Sequence, residues 1–189
     1  GVFDHLRDGV LPALATMARA NGDRSLQCWS AGCASGEEVY TVNLLWELNL
    51  GSRFPEIPLR ITATDSDPNM LDRARRGCYS ASSLKDIPED WLSAAFKESG
   101  RCWCLKPEFR DDIAFAQQDI RHDMPAGRFH LVLCRHLAFT YFDEALQRET
   151  LARILTKLVP RGILVTGKQE PLPIQPAELQ ACQPQMGIY

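Results

Sequence analysis

No stretch of the chain is long and apolar enough to cross a bilayer, and none reads as a signal peptide, so direct membrane insertion is not expected. A basic excess is missing too. Lys and Arg number 21 against 24 Asp and Glu, a net charge of −3, which argues against a nucleic-acid partner. The cysteines stand at 28, 33, 78, 102, 104, 134 and 182. No second Cys or His pair lies at zinc spacing beside Cys102-Trp-Cys104, so no metal site is expected. Their odd number, and the apolar settings of Cys28 and Cys134, fit buried thiols and a reducing cytoplasm better than a disulfide framework. The glycine spacing GxGxxG is absent, which weakens a dinucleotide dehydrogenase reading.

What is present is ordinary in bulk. At 189 residues, 45% apolar and 24% charged, the chain is expected to form one domain over 1–189 with a proper core. Its organising stretch runs from Leu26 to Leu48, LQCWSAGCASGEEVYTVNLLWEL. Leu26, Cys28 and Trp29 supply a buried strand. Gly32 and Gly36 bracket a turn of small residues, and Tyr40, Leu44, Leu45 and Leu48 fall near helical spacing behind it. A strand ending in such a turn places backbone N–H groups and a helix N-terminus at the carboxyl edge of a sheet, where open α/β sheets bind nucleotide-like ligands. The missing side chains let a ligand approach the backbone closely.

The remaining chain repeats the rhythm. Val2 to Ala20 is helical in pattern, with a kink or break expected at Pro12 and a stop at Asn21-Gly22-Asp23. Leu59 to Thr64 reads as a second strand; Asp67 or Ser66 caps the next helix and Pro68 suits its first turn. Strand alternating with helix implies βαβ units and a parallel sheet. Asp65, at the carboxyl end of that strand, suits the two hydroxyls of a ribose. From Gly77 to Asp112 the rhythm breaks. An inserted element is expected at about 79–112, with a short helix around Pro88 to Phe96 and a hairpin in RCWCLKPEFRDD. Ile113 to Ala116 reads as a third strand, whose end presents Asp119 to an adenine amine and Ile120 to its face. Phe129 to Cys134 is a continuous apolar strand of the kind found at the centre of a parallel sheet. Arg135, His136 and Tyr141 follow it, and the Arg and the His must stay solvated or paired. Asp143 caps a helix over Glu144 to Leu158, Pro160-Arg161-Gly162 stops it, and Gly162 to Gly167 is a fifth strand. Met186 to Tyr189 is a candidate edge strand.

Several of these stretches together resemble the chemotaxis-receptor methyltransferases of the CheR type, which use S-adenosylmethionine. They are WSAGCASGEEVY, ATDSDPNMLDRARRGCYS, QQDI, FHLVLCRHLAFTYFDE and LVPRGILVTGKQE, spanning about Leu26 to Glu170. The resemblance implies an α/β fold, the class I methyltransferase (Rossmann-like) three-layer sandwich, with a mostly parallel seven-stranded sheet containing one antiparallel strand. It implies that Ala31 and Gly32 line the methionine part of the cofactor and that Glu38 contacts its amino acid end. Asp65 would hold the ribose, and Asp119 and Ile120 would meet the adenine. Arg135 and His136 would lie beside the cofactor, with Arg135 orienting an acceptor carboxylate and Tyr141 facing the transferred methyl. The implied cofactor is S-adenosyl-L-methionine, leaving S-adenosyl-L-homocysteine. The implied substrate is a protein, a glutamate side chain of a chemoreceptor cytoplasmic region.

The departures are specific. The family usually has Asn at His136, Asp at His130, Pro at Val39, and Gly-His-Ser-Glu where Gly167-Lys168-Gln169-Glu170 stand. Glu98 stands where tether-binding members carry an arginine, which argues against docking of a receptor-tail peptide. The family's helical N-terminal domain and its Phe-Phe-Arg segment would precede Val2. The readings carried forward are a carboxylate O-methyltransferase, a methyltransferase of a small molecule or other protein, and a non-catalytic cofactor-binding signalling domain.

Overall fold

The computed structural model describes residues 1–110, 112–176 and 179–189. The chain opens with a helical run made of α1 (Val2–His5), a π-helical turn (Leu6–Val10) and α2 (Leu11–Asn21). The wide turn accommodates Pro12. The Leu11 N–H reaches back to the Leu6 carbonyl, and Pro12 enters in the first turn of α2, where a missing N–H costs little. Gly22, at φ +76, closes the run.

Next come β1 (Leu26–Ala31), α3 (Glu37–Leu45) with a second π turn (Trp46–Leu50), β2 (Leu59–Asp65) and α4 (Pro68–Arg76). Asp67 caps α4 by accepting the Asn69 N–H at 2.8 Å, as its position after the strand implies. The interruption in rhythm is β3 (Cys78–Ser80), α5 (Glu89–Ala95), β4 (Phe96–Ser99) and β5 (Cys102–Leu105). Its strands form a separate antiparallel sheet in the order β3-β5-β4. Asp111, at the end of the expected hairpin stretch, lies outside the described residues. The chain resumes with β6 (Ile113–Gln117), β7 (Phe129–Leu133), α6 (Ala138–Tyr141), α7 (Glu144–Lys157) and β8 (Leu158–Val165).

Five strands pair in parallel in the order β6-β2-β1-β7-β8. The chain steps outward from β1 to β2 and β6, then returns to the other side of β1 as β7. That reversal puts a crevice between the carboxyl ends of β1 and β7, where open α/β sheets take ligands. Alternation along the strands separates two cores. Cys28, Leu131 and Leu133 join Leu11 and Leu14 of α2 and Val39 and Leu44 of α3 on one face. Trp29, Ala31 and Val132 join Leu151 and Ile154 of α7 on the other. The buried Trp29 indole finds its acceptor across the sheet, the Thr64 hydroxyl at 2.9 Å.

Three expectations change. Among the described residues the main sheet has five strands rather than seven, and its antiparallel member is reduced to the bridge of Ile188 with Val165. Pro171, Pro173, Pro176 and Pro184 deprive the tail of ladder donors. The fifth strand begins at Leu158, because Pro160 keeps Val159 out of the helical region. Its register jumps from Phe129↔Leu158 to Leu131↔Ile163, with Arg161 at φ +64 in the irregularity. Finally, a disulfide joins Cys78 to Cys104, which face each other across β3 and β5. The expectation of thiols throughout holds for Cys28, Cys33 and Cys134, which are buried and free.

Burial pushes the Cys33 and Cys134 thiols up to about 12, and Cys28 upward as well. A maleimide added to the native chain is therefore expected to label exposed Cys182 and half-buried Cys102 while sparing these three. Peptide mapping by mass spectrometry without reductant should find Cys78 joined to Cys104. Labelling of Cys28 ahead of unfolding would contradict the packing described.

Candidate functional site

Two loops flank the crevice. The first follows β1 and folds back sharply through positive φ at Gly32 (+72), Ala34 (+45) and Gly36 (+90). The N–H groups of Gly32 and Cys33 both donate to the Thr64 carbonyl, at 2.8 and 3.0 Å. Asp65 completes the fold-back. One of its carboxylate oxygens accepts the Ala34 N–H at 2.8 Å and the other accepts the Asp67 N–H at 2.9 Å. Asp65 is half-buried, and each oxygen keeps a lone pair for a ligand hydroxyl.

Below this turn lies the small sheet. Tyr79 of β3 donates to the Ser35 carbonyl at 2.7 Å. A Cβ on Gly36 would stand 3.0 Å from Ala74 Cβ and 3.2 Å from the Tyr79 hydroxyl, so Gly36 serves close packing. Gly32 has a different neighbour. A Cβ there would stand 2.6 Å from Leu137 Cδ2, a side chain of the opposite loop.

The second loop follows β7. The Cys134 N–H extends the ladder to the Val165 carbonyl at 2.8 Å. Arg135 then turns back across the crevice, and its Nη1 donates to Glu38 Oε2 at 2.7 Å. Both side chains are largely buried, 17% and 19% exposed. The Ser30 hydroxyl donates to the other Glu38 oxygen at 3.2 Å. The Phe3 ring of α1 lies 5.2 Å from the Arg135 guanidinium carbon, a cation–π contact. Arg135 Nε is buried with no acceptor among the described residues. His136 takes φ +55, and its N–H donates to Glu170 at 2.7 Å.

The end of β6 completes the edge, where the Gln118 N–H donates to the Asp65 carbonyl at 3.0 Å. Asp119 grips the Arg121 guanidinium, the closest approach being 2.6 Å, and this pairing holds its carboxyl down to about 2. Ile120 is 6% exposed and packs in the core with α7, while Arg153 of α7 donates to the carbonyls of Ile120 and Arg121 at 3.1 and 2.8 Å.

Gly32, Glu38, Asp65, Arg135 and His136 thus meet around the switch point, with Asp119 and Ile120 adjoining through Gln118. Ala31 is 1% exposed and offers the site its backbone alone. Tyr141, at the end of α6, is 75% exposed. Leu137, Tyr79 and Glu170 were not singled out by sequence. Tyr79 had a signal, the Arg-Gly-x-Tyr after α4; the other two act through contacts with residues far along the chain.

The topology and the crevice define an α/β domain of the kind that holds a nucleoside-containing ligand at the carboxyl edge of a parallel sheet. The chain belongs to the family described as CheR methyltransferase, SAM binding domain, whose model matches residues 1–188. The cofactor of that domain is S-adenosylmethionine. The chain is 32% identical to chemotaxis protein methyltransferase 1 of Pseudomonas aeruginosa over 98% of its own length and 68% of the relative's. It is 31% identical to a chemotaxis protein methyltransferase of Listeria monocytogenes over 93% of this chain and 63% of that one. An uncharacterized 104.1 kDa protein of Rhodobacter capsulatus is 32% identical over 90% of this chain and 18% of its own length. The chain therefore spans only part of these relatives.

The hydroxyl of Tyr79 links the small sheet to the turn after β1. Tyr79→Phe leaves the Ser35 carbonyl without its donor and is expected to cost about 1–2 kcal/mol of stability. Urea unfolding measures this; a loss below the error of extrapolation would mean that the turn stands without the bond.

Proposed function

We propose that the chain binds S-adenosylmethionine at the carboxyl edge of β1, β2 and β7 and transfers its methyl group to a carboxylate of a protein. By kinship with the chemotaxis methyltransferases, that carboxylate is a glutamate side chain in a chemoreceptor cytoplasmic region. The observation that carries the reading is the set of polar groups at the switch point: half-buried Asp65 with a lone pair left on each oxygen, Glu38, and an Arg135 Nε lacking an acceptor among the described residues. Carboxylates suit a ligand with vicinal hydroxyls and an ammonium, and the spare guanidinium N–H suits a ligand carboxylate. A helix opening with Glu37 and Glu38 repels phosphate, which disfavours a dinucleotide.

When bound, the cofactor supplies a methyl group already activated on a sulfonium. The residues then have little proton transfer to perform, and alignment and charge placement supply most of the rate. Asp65 accepts the ribose hydroxyls and Glu38 the amino end, while the Ala31–Gly32 backbone lines the methionine portion. Ile120 and Asp119 meet the adenine, with Asp119 sharing its carboxylate with Arg121. Arg135 and His136 border the site of transfer. Tyr141 serves the acceptor, and its exposure supports a role in meeting a partner rather than in packing. Exposed Glu98 on β4 disfavours a receptor-tail tether, and a cytoplasmic setting is proposed with the substrate class. One observation favours a second reading, in which the domain binds the cofactor without transfer: Arg135 is already engaged by Glu38.

Calorimetry with S-adenosylmethionine, S-adenosylhomocysteine and NAD tests the ligand. Binding of the first two and not the third is expected, and the reverse pattern overturns the assignment. Methyl label should pass to chemoreceptor cytoplasmic fragments and leave them in mild base, as esters do; label that survives base excludes a carboxylate acceptor. Asp65→Ala is expected to weaken cofactor binding by about 1–3 kcal/mol, the cost of stranding hydroxyl donors. Unchanged affinity would place the ribose elsewhere.

A further inference from the structure

Glu170 is the buried charge that the reading above leaves without a task. It is 4% exposed, and its partners are neutral. Oε2 accepts the N–H of His136 at 2.7 Å and the N–H of Gly167 at 2.6 Å, while Oε1 accepts the Thr140 hydroxyl. Its own N–H returns to the Gly167 carbonyl at 3.0 Å, and its carbonyl accepts the Thr166 hydroxyl at 3.0 Å. Burying a carboxylate is costly unless hydrogen bonds surround it, and bonds to an ionised acceptor are about twice as strong as neutral ones. A side chain without an oxygen at this position leaves the His136 and Gly167 N–H groups without an acceptor.

The geometry around it is built to receive a carboxylate. A Cβ on Gly167 would collide with Glu170 Oε2 and stand 2.9 Å from His136 Cε1. His136 pays for a left-handed φ of +55, a conformation that a non-glycine residue keeps only where its surroundings impose it. The residue after it, Leu137, fills the space that the missing Gly32 side chain leaves. The residue before it, Arg135, reaches Glu38.

We propose that Glu170 is the positioning residue of the loop after β7: its carboxylate fixes His136 so that Leu137 seats against Gly32 and Arg135 meets Glu38, which preforms the crevice for S-adenosylmethionine. The inference rests on the cofactor assignment above. Glu170 does not touch the reacting groups; it acts through the backbone of residues 135–140.

The test uses the chain and its Glu170→Ala variant, with S-adenosylhomocysteine as the probe in calorimetry and amide exchange followed by NMR. Affinity is expected to fall at least about tenfold. In the variant the amides of His136 and Gly167 should lose protection while those of buried β1 keep theirs, a local change that general destabilisation does not produce. A folded variant with wild-type affinity overturns the proposal, as does rapid exchange of the His136 amide in the wild type. If the variant does not fold, Thr140→Val removes one donor and leaves the carboxylate. A loss of roughly threefold is then expected, and none overturns the proposal. A wild-type chain that fails to bind S-adenosylhomocysteine overturns the cofactor assignment instead, which separates the two failures.

Discussion

Backbone N–H groups freed at the carboxyl ends of β1 and β7 must find acceptors, and the site takes its shape from the acceptors they find. Regular strands satisfy one another, but the chain leaves the ladder at Gly32 on one side of the switch point and at Arg135 on the other. An unpaired N–H in a half-buried position costs as much as a lost hydrogen bond. The molecule solves the problem with carboxylates. Asp65 takes the N–H groups of Ala34 and Asp67, and Glu170 takes those of His136 and Gly167. Each acid ties its loop to the end of the neighbouring strand, and between the two anchored loops lies the crevice.

The ion pair of Glu38 with Arg135 spans that crevice, and its setting decides how it should be weighed. An exposed pair would contribute about 0–1 kcal/mol. This one is largely buried, shares Glu38 with the Ser30 hydroxyl and stacks its cation on Phe3. In such a place the attraction does little more than offset desolvation, yet removing one partner strands the other at about 3–5 kcal/mol. The pair therefore fixes where the loops stand more than it stabilises them. It also ties α1 to the loop after β7 through the Phe3 ring.

How much of this could be read from sequence depended on the range over which each choice is made. The strand–turn–helix at Leu26–Leu48, the Asp67 cap and the left-handed close at Gly22 are local decisions, and each appears where residue pattern places it. Pro12 gave the location of an irregularity but not its kind, because a π turn differs from a kink only in which carbonyl the Leu11 N–H selects. The Cys78–Cys104 bridge depends on the register of β3 against β5, which nothing within either segment states. Glu170 stood in plain view within a family-like stretch. Its role depends on the loop after β7 arriving above β8, a fact of topology alone. Arg121 likewise drew Asp119 into a local pair that the strand-end pattern around Asp119 did not predict.

The same logic explains why the turn after β1 reads as a nucleotide loop yet suits a cation better than a phosphate. A helix N-terminus offers N–H groups and a positive dipole end, and here Glu37 and Glu38 occupy its first turn. Glu37 takes the Ser35 hydroxyl at 2.7 Å and faces solvent, whereas Glu38 is neutralised across the crevice by Arg135. Beside that pair, exposed Glu37 and half-buried Asp65 leave the opening negative, and the two Asp65 oxygens keep lone pairs after holding the turn. A phosphate would meet this charge unfavourably and would find the turn N–H groups of Gly32, Cys33 and Ala34 already spent on Thr64 and Asp65. A ligand that brings hydroxyl and ammonium donors would find acceptors waiting. On the proposed reading, the turn selects its ligand by which of its own hydrogen bonds are already made.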